Sequence, residues 1–314
     1  MKRTTLKDIA DRAGVSTATV SYVLNYSDKQ KISNETRLKI FEIAKEMNYV
    51  PNMQAKSLAS STIQNRVAGF VYERKQLLDE ADRLVFFDFF SKLQIAMIDA
   101  SIDMIPIVVE DYCENIPEIK KHSLDFLIVM DFQKESVSDF TSNFYIPILF
   151  LGSKIEDPLF SNISICHEEI FKEYKRNAKG PNPIIILSDN LPEYISNFAV
   201  SIFSKKSVVF STDIKQISEV IKEETPSSIF VYNEIKALQM ERMTELSKVE
   251  LFALVRDKSK SLLKNDTKKL VIDDNEIIEK VLERIHTFMN MKDNSEDDNK
   301  LRVMPIKFQQ YENA

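Results

Sequence analysis

Glycine is what this chain most lacks: 4 in 314 residues, where average usage of about 7% would give about 22. Gly14, Gly69, Gly152 and Gly180 never approach the spacing of a phosphate cradle, which excludes P-loop and dinucleotide-fingerprint sites, collagen-like repeats and glycine-rich linkers. Cysteine is nearly as scarce. Cys113 and Cys166 lie far apart and suggest neither a disulfide framework nor a zinc knuckle. With only His122, His167 and His286, no metal constellation assembles. No run approaches the roughly eighteen apolar residues of a membrane span. The N-terminal MKRTTLKDIA carries charges and a polar, helix-like stretch instead of a secretory apolar core. These absences predict a soluble, cytoplasmic protein without a membrane partner, a metal site or a cofactor.

What is present supports a packed core. Hydrophobic residues make up 44% and charged residues 29%, which excludes global disorder. The length predicts about two domains. Charge divides them. Residues 1–62 hold ten Lys or Arg against six Asp or Glu, a balance of +4, and with a whole-chain net charge of −6 the remainder carries −10. A basic N-terminal module on an acidic body is an electrostatic design for a DNA-binding head with a regulatory tail.

The local pattern of that module is specific. Thr5-Leu6-Lys7-Asp8 has the form of a helix start, and Leu6, Ile9, Ala10 and Ala13 follow at helical spacing. Gly14 breaks the helix at a position that calls for left-handed backbone. Ser16 is a good N-cap for a second helix over Thr17–Leu24, with Val20, Val23 and Leu24 apolar. Helix, tight glycine turn and helix make a helix-turn-helix, whose second helix enters the major groove. A third helix is expected from near Ser33 to about Met47, burying Leu38, Ile40, Phe41, Ala44 and Met47, and Tyr49-Val50-Pro51-Asn52 ends it.

Thr5-Leu6-Lys7-Asp8-Ile9-Ala10, Ala13-Gly14-Val15-Ser16, Ala18-Thr19-Val20-Ser21, Val23-Leu24-Asn25 and Asn48-Tyr49-x-Pro51-Asn52 together resemble the LacI/GalR family of bacterial regulators, in order and register over residues 4–60. The resemblance implies that Thr17, Ala18 and Tyr22 read bases. Ser16, Thr19, Ser21 and Asn25 would mainly hold phosphates and helix ends, and Thr5 and Asn52 are further DNA-binding positions. The family usually has Arg where this chain has Tyr22. Arg gives guanine a bidentate contact, whereas Tyr offers one hydroxyl and an apolar ring, so the operator should depart from the usual half-site. Residues 53–61 resemble the family's hinge helix, in which Leu58 would wedge between base pairs of the minor groove while Lys56 and Ala59 line it. So short a segment is expected to order only in a DNA-bound dimer.

Beyond Arg66, short β-branched runs alternate with helical segments, which implies parallel sheets in two α/β lobes. Strands are expected near residues 67–71, 104–109, 126–130, 148–151, 163–165, 184–187, 207–210, 229–232, 250–254 and 301–308. Helices are expected over 85–101, 191–204, 215–224, 234–246 and 275–291. The resemblance extends faintly here and implies an N-terminal all-α helix-turn-helix head plus a two-lobed α/β periplasmic-binding-protein-like domain with parallel sheets. The division would be head 1–52, hinge and linker 53–65, and a dimerising, effector-like body 66–314. Within the body, lobe 1 spans about 66–165, lobe 2 about 180–292, and a C-terminal strand 301–308.

Ligands of open α/β sheets bind beyond the carboxyl ends of the strands. The expected cleft residues are Phe86, Phe87, Cys166, His167, Asn233, Glu234 and Asp257. Several family features are missing there. Cys166-His167 stands where Asp-Asn is common, Leu254-Val255-Arg256-Asp257 replaces Gly-Phe-Asp-Asp, and Ser188–Ala199 has no basic residue to grip sugar hydroxyls. The aromatic run Leu84–Phe90 reads as core, cleft lining or interface. Cys166-His167-Glu168 diverge too much for a triad, so no catalytic residue is assigned. The leading reading is a homodimeric, sequence-specific repressor on double-stranded operator DNA, controlled by a non-sugar effector or a protein co-regulator. The runner-up is a sugar- or sugar-phosphate-responsive repressor. A small-molecule-binding protein or enzyme with an incidental head is the reading from another class.

Overall fold

The computed structural model describes residues 4–24, 32–33, 36, 39–40, 43–44, 46–47, 66–132, 137–144, 146–153, 155, 160–243, 249–257, 261–290 and 300–303. In the head, α1 (Leu6–Ala13) begins with a reciprocal capping box. Thr5 Oγ1 accepts from the Asp8 amide at 3.3 Å, and Asp8 Oδ2 accepts from the Thr5 amide at 2.8 Å. The helix ends at Gly14 with φ +71°, a left-handed conformation in which any Cβ is strained. Ser16 Oγ then accepts from the Thr19 amide at 3.0 Å and starts α2 (Thr17–Leu24). Thr36, Lys39, Ile40, Ile43, Ala44 and Glu46 are helical. Ile9, Ala10, Ala13, Val20, Val23 and Leu24 meet Ile40, Ile43 and Ala44 in a small closed core. Fully burying a side chain the size of Ile9 is worth about 1.5–3 kcal/mol, so these contacts carry the head. Leu38 and Phe41, expected in that core, and the hinge segment 53–61 lie outside the described residues.

The body holds two wholly parallel sheets. The first has the order β11-β5-β4-β3-β1-β2, built from β1 (Arg66–Glu73), β2 (Ile102–Val109), β3 (Phe126–Met130), β4 (Ile148–Leu151), β5 (Ser161–Ile165) and β11 (Lys300–Val303). The second has the order β10-β9-β8-β6-β7, from β6 (Ile184–Leu187), β7 (Val208–Phe210), β8 (Ser228–Val231), β9 (Glu250–Val255) and β10 (Lys268–Val271). In each, the first strand of the lobe lies between the second and third. That is a doubly wound order with a topological switch point. The chain returns at its end to the first sheet, where β11 pairs with β5 from Lys300↔Asn162 to Val303↔Ile165.

Strand periodicity sorts side chains between layers. Phe126 and Ile128, Leu149 and Leu151, Ile185 and Leu187, and Phe252 and Leu254 face a central core. It is shared with α3 (Glu80–Asp99), α6 (His167–Asn177), α7 (Glu193–Phe203) and α10 (Asp274–Asn290). The alternate residues of the first sheet face α4 (Ile116–Lys120) and α5 (Val137–Thr141). Those of the second face α8 (Ile214–Glu224) and α9 (Glu234–Met240). Both sheets are thus covered on both faces, which is why their strands read as unbroken apolar runs.

Some elements depart from expectation. Helix α3 starts at Glu80 instead of Val85, because Asp79 caps it and accepts from the Asp82 amide at 2.9 Å. The aromatic run 84–90 therefore lies inside the helix and divides by face: Phe86 and Phe89 are buried, while Leu84 and Phe87 are 52% and 43% exposed. The helix α6 and the strand β10 were not expected. Helix α9 ends at Met240, not 246, and β11 is described over 300–303 only, with the rest of the expected 301–308 outside the described residues.

Candidate functional sites

Two surfaces carry chemistry. On α2, Val20, Val23 and Leu24 point into the head core, which leaves Thr17, Ala18, Ser21 and Tyr22 on the other side of the helix. Thr17 and Ala18 are exposed, as is Ser16, while Thr19, Ser21 and Tyr22 are half-buried. Ser16 and Thr19 also join their hydroxyls at 2.8 Å, so both hydroxyls belong first to the helix start. Thr5 is exposed but committed to its cap. Asn25, Asn52, Lys56, Leu58 and Ala59 lie outside the described residues. A short helix presenting small polar side chains and one phenol, over an apolar base, has the width and chemistry of a major-groove reader.

The second surface is a cavity of about 180 Å³ between the two sheets, at the carboxyl ends of their strands. The first lobe contributes Gln76, Asp82, Phe86, Phe89, Asp131 and Gly152. Across from them stand His167, Asn190, Tyr232, Asn233, Glu234 and Arg256. Of the cleft residues expected from sequence, Phe86, His167, Asn233 and Glu234 line it. Phe87, Cys166 and Asp257 do not. Phe87 lies on the outward face of α3, Cys166 precedes α6 as its N-cap residue, and Asp257 follows Arg256, which takes the cavity-facing position. The sequence reading missed Gln76, Asp82, Asp131, Tyr232 and Arg256. A signal existed for Asp131, a lone acid directly after the apolar strand Phe126–Met130.

Polar contacts tie the lobes across this cavity. Asn233 Nδ2 donates to Asp82 Oδ1 at 2.7 Å, while Asn233 Oδ1 caps α9 by accepting from the Lys236 amide at 3.1 Å. The buried Lys236 ammonium lies 3.7 Å from Asp79. Tyr194 donates its hydroxyl to the Gly152 carbonyl. Arg256 pairs with Asp274: its Nε and Nη2 reach Oδ1 at 2.7 and 2.6 Å, and its guanidinium lies 5.6 Å from the Phe89 ring centroid. The other oxygen of Asp274 takes the Lys92 ammonium at 3.1 Å.

Burial governs the titration of the lining. His167 is held down to about 3, by burial first and by Arg256 second, so it is a neutral imidazole hydrogen-bonded through Nδ1 to the Tyr232 hydroxyl. The Asp131 carboxyl is pushed up to about 7, chiefly by burial and further by Glu73, against the pull of Arg256 and Lys75. Asp82 and Glu234 are also raised, again by burial first. Asp131 has φ +47°, and Gly152 at φ +79° lies against its carboxyl, where a Cβ would collide with the oxygen. Here a glycine permits a close approach that shapes the cavity. Among the described residues, no group of His, Cys, Asp and Glu could hold a metal ion, and no helix is long and apolar enough to cross a membrane.

The chain combines a helix-turn-helix head with two doubly wound parallel α/β lobes that face one cavity. Residues 5–52 match the family described as bacterial regulatory proteins, lacI family, and form a helix-turn-helix domain of that family. The sucrose operon repressor of Klebsiella pneumoniae is 50% identical over 58 residues, 18% of this chain and 17% of that protein. The transcriptional regulator MalR of Staphylococcus xylosus is 30% identical over 160 residues, 49% of this chain and 45% of the relative. The matched stretch thus spans less than half of either relative. Solved structures extend the likeness of fold to the whole chain. A lac repressor dimer bound to operator and the anti-inducer ONPF aligns with TM-score 0.60 at 17% identity, over 98% of this chain and 99% of that one. A complex of the regulator CelR with cellobiose aligns with TM-score 0.60 at 13% identity, over 97% and 98%.

Proposed function

We propose that the protein is a sequence-specific DNA-binding transcriptional repressor. It acts as a homodimer on a pseudo-palindromic operator, with half-sites about one helical turn apart. The observation that carries this is the α2 face: Thr17, Ala18, Ser21 and Tyr22 sit opposite the head core, on a helix fixed by the Gly14 turn and the Ser16 cap. The family match over residues 5–52 supports the same reading. Thr17, Ala18 and Tyr22 read base edges. Thr5, Ser16, Thr19, Ser21, Asn25 and Asn52 position the backbone, and Leu58, with Lys56 and Ala59, opens the minor groove at the centre.

The dimer surface is on α3. Leu84, Phe87, Ile95 and Ile98 recur at helical spacing and are 43–62% exposed, an apolar stripe that a second copy would cover. Control comes through the inter-lobe cavity. A non-sugar effector is favoured because the cavity's one Arg already pairs with Asp274 through Nε and Nη2 and so is not set to grip a phosphate or a pair of sugar hydroxyls.

Selection of bound sequences from a random duplex pool tests the reading. The expected result is one palindromic consensus whose half-site differs from guanine-reading relatives at the base facing Tyr22. Its affinity should fall steeply with salt as phosphate contacts release counterions. No enriched sequence, or enrichment of a non-palindromic one by a monomer, would overturn it.

A further inference from the structure

The inter-lobe cavity has a lopsided charge inventory. Arg256 and Lys92 pair with Asp274 and Asp88, and Lys75 with Glu73, while the buried Lys236 ammonium stands 3.7 Å from Asp79 without a hydrogen-bond partner. Asp82 and Asp131 line the cavity and have no ion-pair partner among the described residues. Asp82 is satisfied by the neutral donors Asn233 and Ser188. Asp131 is not: the hydrogen bond it accepts comes from Gln76 Nε2, at 3.2 Å. That bond fixes the carboxamide so that Gln76 Oε1 is the buried end, and Oε1 has no partner. A carboxylate and a buried orphan acceptor therefore stand side by side on one wall, beside the rings of Phe86 and Phe89. An orphan buried acceptor costs about 1–3 kcal/mol until a donor reaches it.

We propose that this cavity binds a small primary ammonium on a short apolar or aromatic body, its N–H groups donating to the Asp131 carboxylate and to Gln76 Oε1 and its body lying against Phe86 and Phe89. The proposal rests on the regulator reading and names the ligand class of its effector site. A primary ammonium has three donors and no acceptor, which matches these two acceptors. Aromatic faces favour a cation further. Size restricts the body, since about 180 Å³ is below the roughly 300–1,000 Å³ of pockets that take drug-sized ligands. Anions fit poorly, because the guanidinium is already charge-paired with Asp274 and the His167 imidazole is neutral.

The charge state of Asp131 couples binding to pH. The groups facing it are Glu73 of β1, Lys75 and Gln76 of the turn after it, Tyr112 before α4, Tyr194 of α7, Tyr232 after β8 and Arg256 after β9. With the carboxyl at about 7 in the empty site, an ammonium displaces a proton on binding, so affinity rises between about pH 6 and 8.

The test is calorimetric titration of the full chain with 2-phenylethylammonium and with 2-phenylethanol, its neutral isostere, alongside glucose and glucose 6-phosphate. Expected are at least about tenfold tighter binding of the ammonium than of the alcohol, proton release near pH 7, and loss of that preference in Asp131→Asn. In Gln76→Leu the preference should fall several-fold, and circular dichroism checks the folding of both variants. Equal affinity for amine and alcohol, tighter binding of either sugar, no binding of the amine at millimolar concentration, or an undiminished preference in folded Asp131→Asn would each overturn it. Operator binding is measured separately. Failure of the amine with DNA binding intact refutes the ligand class alone, whereas failure of sequence-specific DNA binding refutes the regulator reading.

Discussion

The head and the cavity are built by opposite rules. The proposed DNA-reading surface comes from one eight-residue helix and the turn before it, so its cap, its stop signal and its exposed face are neighbours in sequence. The cavity draws side chains from the carboxyl ends of strands in both sheets, from α3 and from α10, brought together only by packing. The head is therefore held by short-range devices, each worth about a kcal/mol. The cavity depends on a few buried long-range ties whose loss is costly. Substitutions in the two regions should separate cleanly if this contrast is right.

The largest effect is expected at Asp274. Its carboxylate is 2% exposed and joins Arg256 of the second lobe to Lys92 of α3 in the first. Asp274→Ala leaves the Arg256 guanidinium without its counter-charge and Lys92 with Asp88 alone, and breaking a buried pair in this way costs about 3–5 kcal/mol. Calorimetry should show the body's transition falling by about 10 °C, while the binding of DNA by a folded head keeps its sequence preference. A drop confined to one or two degrees would mean that solvent already screens the cluster, and that the lobes are joined mainly by their apolar core.

A smaller, pH-dependent effect is expected at Asp131. Its folded-state value of about 7 against an ordinary 3.8 means that the folded chain holds the proton more tightly. Stability from this group is then full below about pH 4, is lost as pH rises to about 7, and is flat above that. Asp131→Asn removes the dependence. Its melting temperature should exceed that of the parent by several degrees at pH 8, with no gain at pH 4.5. A gain of equal size at both values would point to packing against Gly152 and not to charge.

The same contrast explains what could be read in advance. Head signals act over three or four residues, so Thr5, Gly14 and Ser16 fixed both helix starts and the turn before any tertiary contact was known. Buried parallel strands such as Ile184–Leu187 and Phe126–Met130 are legible because both faces are apolar. Helix α6 was not: HEEIFKEYKRN buries only His167, Ile170, Phe171 and Tyr174, and its start lacks a side-chain cap. Strand β10 was hidden by Lys268 and Lys269, whose ammonium groups reach Glu250 and the Lys264 carbonyl. The cavity was half legible. Strand ends located it, but whether Arg256 or Asp257 faces inward is decided by alternation, and the acceptor pair of Asp131 and Gln76 joins positions 55 residues apart.

The smallest effect, and the sharpest check on the local rule, is at Thr5. It is exposed, so its substitution removes no core packing, yet its side chain satisfies the Asp8 amide and Asp8 returns the bond to the Thr5 amide. Losing such a cap costs about 1 kcal/mol, and the cost should fall on the head alone. Thr5→Ala should weaken operator binding by up to about fivefold, in proportion to the fraction of heads unfolded. The body's melting temperature should not move, and Thr5→Ser should restore binding because its hydroxyl can make the same bond. If Thr5→Ser bound as weakly as Thr5→Ala, the methyl or a direct phosphate contact would be the operative feature, and the cap would be incidental to how this head stays folded on DNA.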